Sequence, residues 1–227
     1  MRDGPGHLAA GLLLGALADR VLGDPVRWHP VAALGRIAVA VERFSYRPAQ
    51  WAGLGHVVVL VGGAALAVHR TERVVPGLLV TAAVTWAALG GRSLESEAVA
   101  LARLVDAGDL ESARARLPAL VGRDPSGLPA GELCRAAVES VAENTADAVV
   151  APLLWGALAG PAGVAVHRTA NTLDAMVGHR SAYYQHFGWA AARLDDGLGW
   201  PAARVGASLA AALAPLAGGD ARAAWRT

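Results

Sequence analysis

The sequence contains no lysine, because all 20 basic residues among its 227 positions are arginines. Without lysine the chain cannot form a phosphate-binding loop of the G-x-x-x-x-G-K-[ST] type, a Schiff base or a lysine general base. Any bound phosphate must therefore be held by arginine, by backbone amides or by a metal. The formal net charge of +1 gives no support to bulk nucleic-acid binding.

Cysteine and charged residues are also scarce. Cys134 is the only cysteine, which excludes an intrachain disulfide and makes a cysteine-based zinc site implausible. Charged residues make up 17% of the chain and hydrophobic ones 54%, whereas soluble domains carry about 25% charged residues. The apolar content is mostly alanine and leucine, with only two phenylalanines. This composition predicts an all-α membrane protein rather than a β-barrel.

Five apolar segments predict a polytopic membrane helical bundle, formed by one membrane-embedded domain over residues 1–227. The segments are 8–22, 51–68, 74–90, 148–166 and 201–217. A short turn joins the second to the third, and the pair predicts a helical hairpin. The fourth is interrupted by Pro152 and by Gly160-Pro161. It predicts either a kinked span or a re-entrant pair of half-helices, which would return the chain to its starting side.

Residues 91–146 read as a soluble amphipathic helical insertion, in which Asp109 can cap a helix. The polar segments 19–50 and 91–145 are rich in arginine, whereas the turn at 69–73 has only two. The positive-inside tendency therefore places both large segments in the cytoplasm of a multi-pass cell-membrane protein.

A row of carboxylates precedes the fourth apolar segment. Glu139, Glu143 and Asp147 are spaced four residues apart and would share one face of a helix, with Arg135 one turn earlier and Asn144 beside them. Three acids on one face repel each other unless a cation is bound, so the row predicts a Mg²⁺ or substrate site at a membrane surface. The alternative is a solvated helix face followed by an acidic cap at Asp147.

Two further polar stretches have similar character. The turn at 23–36 contributes Asp24, His29 and Arg36, and it is equally well explained as a capped loop between helices. The stretch 167–204 contributes a larger set of charged and amide side chains: Arg168, Asn171, Asp174, Arg180, Arg193, Asp195 and Asp196. Mg²⁺ is usually held by one or two carboxylates together with substrate phosphates, so two acid clusters beside arginine favour a nucleotide site.

Three blocks of the sequence resemble the adenosylcobinamide-phosphate synthase (CobD/CbiB) family of cobalamin biosynthesis. They lie at 19–43, 120–155 and 171–204, and their most distinctive motifs are ESVAENTAD, NTLDAMVG and ARLDD. The resemblance implies a membrane ligase that joins adenosylcobyric acid to (R)-1-amino-2-propanol O-phosphate, or to a related amino alcohol phosphate, with ATP and Mg²⁺. It also implies a C-terminal region of the family that this sequence does not contain.

From the resemblance and the acid clusters we expect the following roles. The catalytic set is Glu139, Glu143, Asn144, Asp147 and His29, of which Glu139, Glu143 and Asp147 are the Mg²⁺ ligands. The substrate and phosphate contacts are Asp24, Arg36, Arg123, Arg135, Arg168, Asn171, Asp174, Arg180, Arg193, Asp195 and Asp196. Arginine suits the phosphates because its planar guanidinium can bind two oxygens at once.

Two other functions fit the same residues. A Mg²⁺-dependent intramembrane transferase also uses acidic helices at a membrane surface, although the paired D-x-x-x-D repeats of such enzymes are missing here. A transporter or assembly subunit would use buried acids for ion pathways or helix contacts. Besides the corrinoid and amine substrates, the expected partners are the lipid bilayer, further copies of the chain and other cobalamin-pathway membrane proteins, but no nucleic acid.

Overall fold

The computed structural model of the chain describes residues 5–24, 29–120 and 127–226, which form helices and turns without a strand. Ten α-helices occur in these ranges, as the all-α prediction requires. They are α1 (Pro5–Leu22), α2 (Pro30–Ser45), α3 (Gln50–Thr71), α4 (Gly77–Ala88), α5 (Gly91–Asp106), α6 (Leu110–Arg116), α7 (Ala130–Thr145), α8 (Ala151–Leu173), α9 (Trp189–Leu213) and α10 (Ala221–Arg226).

Three helical stretches in the described ranges are long and apolar enough to cross a membrane. They are Gln50–Thr71, Gly77–Asp106 and Ala130–Gly178, so the second contains α4 and α5 and the third contains α7 and α8. Many large apolar side chains on their outer faces are exposed, including Leu54, Val58 and Leu66 of α3. A water-soluble domain would bury such a face, whereas lipid solvates it, so this is a membrane protein.

Helices α1 and α4 lie side by side and run in the same direction. Gly11 of α1 faces Thr81, and Gly15 faces Thr85 one turn further on. An added Cβ at either glycine would come within 2.6 Å of the facing threonine Cβ. Small residues four apart therefore allow the two backbones to approach closely, which is how membrane helices gain packing energy.

Helix α8 is a helical hairpin rather than one rod. Its backbone leaves helical geometry at Ala159 and at Gly160, where φ is +67° and ψ is −164°. Glycine accepts that positive φ without a Cβ penalty, and Pro161 then starts the second arm. A Cβ added to Gly156 would lie 2.9 Å from Val164, although these residues would be about 12 Å apart in a straight helix. The structure thus has the predicted pair of half-helices folded back on itself.

Two other details differ from the sequence-based predictions. Helices α3 and α4 are neighbours in the chain, but α3 packs mainly on α8 and α9, and α4 mainly on α1 and α8. They do not form a hairpin because α8 lies between them. The last apolar segment is not a separate helix from 201, because α9 begins at Trp189 and runs through Pro201.

The insertion has an apolar core of its own. Leu101 of α5, Leu117 after α6 and Leu133 of α7 are fully buried against each other. Asp109 caps α6 as predicted, because its carboxylate accepts a hydrogen bond from the Ser112 backbone N–H at 3.1 Å. This small core holds α7 in the position from which it leads into the hairpin.

Candidate active site

The two ends of the α8 hairpin meet at a polar site. Each end is a single turn of π-helix. Ala146–Val150 joins α7 to the first arm, and Asp174–Gly178 ends the second arm. Asp147 and Asp174 lie at the start of these turns, and such turns are common at functional sites. Asn171 is 24 residues from Asp147 in sequence, yet its amide Nδ2 lies 3.5 Å from the Asp147 Oδ2 atom and donates to it. The hairpin therefore brings the two acid-rich segments together.

Helix α9 adds a third carboxylate to this site. Asp195 is half-buried, and its Oδ1 atom has no hydrogen-bond partner among the residues that the structure describes. Burial, reinforced by the negative charges of Asp174 and Asp147, raises the pKa of Asp195 from 3.8 to about 6. The indole N–H of Trp155 donates to the Leu198 carbonyl at 2.9 Å and fixes α9 against the first arm of the hairpin.

Arg168 supplies positive charge beside these acids. It lies one turn before Asn171 on the second arm, and Asp24 and Asp147 are the acids that act on its guanidinium. Its Nε atom is buried and has no hydrogen-bond partner in the described ranges. A half-buried guanidinium whose Nε donor is unused is well placed to bind a substrate phosphate or carboxylate.

Asp24 lies on the side of the site next to Arg168, whose guanidinium it attracts. Asp24 accepts a hydrogen bond from the Ser93 hydroxyl at 2.5 Å, and its other oxygen lies 3.4 Å from His29 Nε2. His29 also caps α2, because its Nδ1 accepts from the Val31 backbone N–H at 3.1 Å. An imidazole whose Nδ1 accepts carries its proton on Nε2, so His29 donates to Asp24. This geometry gives His29 a positioning role and leaves neither nitrogen available as a base.

Other predicted residues lie away from this site. Glu139 bonds to Arg135 at 2.8 Å on an exposed face of α7. The Asn144 amide donates to the Leu120 and Ser140 carbonyls at 3.2 and 2.8 Å, so it anchors the end of the insertion. Glu143 is exposed, but it is close enough to Asp147 to repel its charge.

The remaining predicted arginines are exposed or undescribed. Arg36 and Arg180 are exposed, and Arg193 pairs with Asp196 at 3.8 Å on an exposed face of α9. Arg123 lies outside the described residues. The row of Glu139, Glu143 and Asp147 does not converge, and no group of three or more His, Cys, Asp or Glu side chains in the described ranges could hold a metal ion. These carboxylates therefore do not fit a resident metal held by protein ligands alone.

Two residues of this region were not predicted from the sequence. Ser93 binds Asp24, but a single serine in an amphipathic helix gives no signal of that role. His167 is fully buried beside Arg168, and neither ring nitrogen has a partner in the described part of the chain. The sequence feature that could have indicated His167 is its position at the end of an apolar run.

Several known proteins are similar in sequence to this chain. The model of the CobD/Cbib protein family matches residues 12–227. "Cobalamin biosynthesis protein CobD" of Mycobacterium tuberculosis H37Rv is 49% identical over 222 residues, which cover 96% of this chain and 71% of that protein. The proteins of the same name from Geobacter metallireducens and Chromobacterium violaceum are 41% and 39% identical, over 96% and 95% of this chain and 71% and 70% of theirs.

No solved structure is significantly similar to the chain. The family model covers almost the entire sequence, and the first of these relatives is identical at nearly half of the aligned positions. The chain belongs to the CobD/Cbib family of cobalamin biosynthesis proteins.

Proposed function

We propose that this protein is an ATP-dependent acid–amine ligase that joins adenosylcobyric acid to (R)-1-amino-2-propanol O-phosphate, or to a related amino alcohol phosphate. The product is adenosylcobinamide phosphate. Membership of a cobalamin biosynthesis family supports the pathway. One observation supports the reaction class: the open end of the hairpin brings together Asp147, Asn171, Asp195 and the half-buried Arg168.

Amide formation from a carboxylate requires that the carboxylate first be activated. In the proposed reaction a carboxylate oxygen of the corrinoid attacks the γ-phosphorus of ATP, and ADP leaves. The amine nitrogen then attacks the acyl carbon, phosphate leaves and the ammonium proton passes to a base. Phosphoryl transfer depends mostly on positioning and charge neutralisation, which is what a buried guanidinium supplies. Arg168 is accordingly assigned to the transferred phosphoryl group or to the corrinoid carboxylate.

The acids of the site are assigned to the positively charged reactants. Asp147 and Asp174 would bind the substrate ammonium or the Mg²⁺ that arrives with ATP, since Mg²⁺ commonly takes one or two protein carboxylates and completes its shell with phosphate oxygens. Asp195 is the preferred proton acceptor, because its pKa of about 6 is near the operating pH and its Oδ1 atom has no partner in the described ranges. His29 would hold Asp24 in place rather than accept the proton.

The site is proposed to face the cytoplasm of the cell membrane. It is flanked by the arginine-rich segments 19–50 and 91–145, which the positive-inside tendency retains on that side. ATP and the corrinoid acid would then reach the site from the same compartment.

The proposal is tested with the purified chain in lipid nanodiscs. Adenosylcobyric acid, Mg²⁺–ATP and (R)-1-amino-2-propanol O-phosphate are supplied, and ADP and the amide product are measured by mass spectrometry. We expect one ADP per amide formed, no ADP release when the corrinoid is left out, and no sustained ADP release beyond a single turnover when the amine is left out. Formation of the amide without ATP consumption, or ADP release that is independent of the corrinoid, would contradict the proposal.

Because the relatives extend beyond the aligned region, the same assay is run on a version extended by the C-terminal region of the M. tuberculosis relative. In parallel, both forms are tested for complementation of a bacterial strain that lacks this step of cobalamin synthesis. Activity of the extended form alone would support the ligase and show that the additional region is required. Inactivity of both forms would count against the proposal.

A further inference from the structure

A second polar cavity lies outside the candidate active site, between the end of α1 and one face of α5. It has a volume of about 520 Å³ and opens to the outside of the molecule. Its polar lining comprises Arg20 of α1 and Arg92, Glu95, Ser96 and Arg103 of α5. Three guanidinium groups against one carboxylate give the cavity a surplus of positive charge.

The three arginines are not equally available to a ligand. Arg20 pairs with Glu95. Arg92 donates through one nitrogen to the backbone carbonyls of Arg20 and Val21, at 2.7 and 2.8 Å, and is thereby held against the end of α1. The guanidinium of Arg103 forms no hydrogen bond or ion pair with any residue in the described ranges, and it is exposed. The cavity thus combines a fixed cation with a free one.

The position of the cavity indicates the source of its anion. Leu13, Leu17 and Val21 follow the outer face of α1 and are 71%, 58% and 63% exposed, so lipid covers this face up to the level of Arg20. Val99, which is 44% exposed, lines the cavity beside the arginines. An apolar wall that leads directly to clustered guanidinium groups matches a molecule with acyl chains and a phosphate head.

We propose that this cavity binds the phosphate headgroup of an anionic glycerophospholipid. Arg92 and Arg103 contact the phosphate oxygens, and the acyl chains lie along Leu17 and Val21. The site is separate from the ligase chemistry, because none of its lining side chains belongs to the set around Asp147.

Native mass spectrometry of the purified full chain tests the proposal, with phosphatidylglycerol and phosphatidylcholine of identical acyl chains as probes. We expect tighter binding of phosphatidylglycerol. Arg103→Gln should weaken it by about fivefold, the factor that corresponds to one basic residue at an anionic membrane surface. Arg43→Gln is the matched control, since it removes an exposed arginine from α2 outside the cavity and should leave the affinity unchanged.

Equal affinities for the two lipids, or equal losses in Arg103→Gln and Arg43→Gln, would overturn the proposal. Soluble phosphates are tested separately by adding inorganic phosphate or ATP to the lipid-free protein. Binding that depends on Arg103 but favours these ions over phosphatidylglycerol would assign the cavity to a soluble phosphate and would also overturn the lipid proposal. Unchanged circular dichroism of Arg103→Gln confirms that a loss of binding is not a loss of fold.

Discussion

The Asp195 Oδ1 atom is buried and has no partner in the part of the chain that the structure describes, and burial raises the pKa of this carboxyl to about 6. Since this folded-state pKa is above the unfolded value of 3.8, the folded protein binds the proton more tightly than the unfolded chain does. Ionisation of Asp195 therefore destabilises the fold. The resulting loss of unfolding free energy is small near pH 4, grows as the pH rises toward 6 and reaches its full size above pH 6.

Asp195→Asn should consequently raise the melting temperature of the detergent-solubilised protein at about pH 8, and the gain should shrink toward pH 4. Asp196→Asn is the matched control, because Asp196 itself is exposed and its replacement should give no such pH-dependent gain. A lower melting temperature for Asp195→Asn at pH 8 would refute this explanation. The proposed ligase activity should fall in the same variant, which is the usual compromise between stability and function at an active site.

Arg168 is the second residue whose replacement is informative. Arg168→Gln should reduce amide formation by about a hundredfold, the loss typical of removing one preorganised donor from a charged transition state. Arg180→Gln replaces an exposed arginine nine residues beyond Asn171 and should retain near-normal turnover. Steady-state assays of both variants, with gel filtration to verify folding, provide the measurement. Similar turnover of the two variants would remove Arg168 from the reaction.

At this scale the sequence indicated some site residues better than others. Asp147, Asn171 and Asp174 were predicted because acids and amides stand out in an apolar context, and the structure brings Asp147 and Asn171 together. Glu139 obeyed the same pattern but points to the exposed side with Arg135. The spacing of four residues shows a shared helix face, yet it does not show which face meets the rest of the protein.

Helix packing between α1 and α4 is a testable feature of the fold. Gly15→Ala should destabilise the protein by about 1–3 kcal/mol, because the new Cβ would be 2.6 Å from the Thr85 Cβ and 2.8 Å from the Ala82 carbonyl. Gly63→Ala on α3 is the matched control, since no atom of the described residues lies within 4 Å of its added Cβ. The control should be neutral or slightly stabilising. Thermal unfolding of both variants decides the matter, and equal stabilities would contradict this packing.

The elements themselves were largely predictable. The apolar segments predicted α1, α3 and α4, and Asp109 caps α6 as its residue type suggests. The packing order was not predictable, because the insertion of α8 between α3 and α4 depends on contacts between distant segments. The start of α9 at Trp189 was also missed, since the polar residues before Pro201 hide the helical continuity.

For the whole molecule, the hairpin decides which segments can share a site. From Asp147 to the break at Ala159 an arm extends only about 18 Å, whereas the hydrocarbon core of a bilayer is about 30 Å thick. Because the chain turns back at Gly160, Asn171 returns to the side of the membrane from which α7 leads into the hairpin. A kinked full span would instead separate these residues by the thickness of the membrane. The composition allowed both topologies, and the backbone at Ala159 and Gly160 selects one.

This topology makes a prediction about accessibility from the two sides of the membrane. In a Cys134→Ser background, single cysteines are introduced by Glu132→Cys before the hairpin, Arg180→Cys after it and Arg73→Cys in the turn between α3 and α4. All three positions are exposed. An impermeant maleimide should label positions 132 and 180 from the same side of sealed vesicles and position 73 from the opposite side, because the 22-residue α3 is long enough to connect the two surfaces. Labelling of 132 and 180 from opposite sides would mean that residues 148–166 cross the bilayer, and Asp147 and Asn171 could then not act in one site.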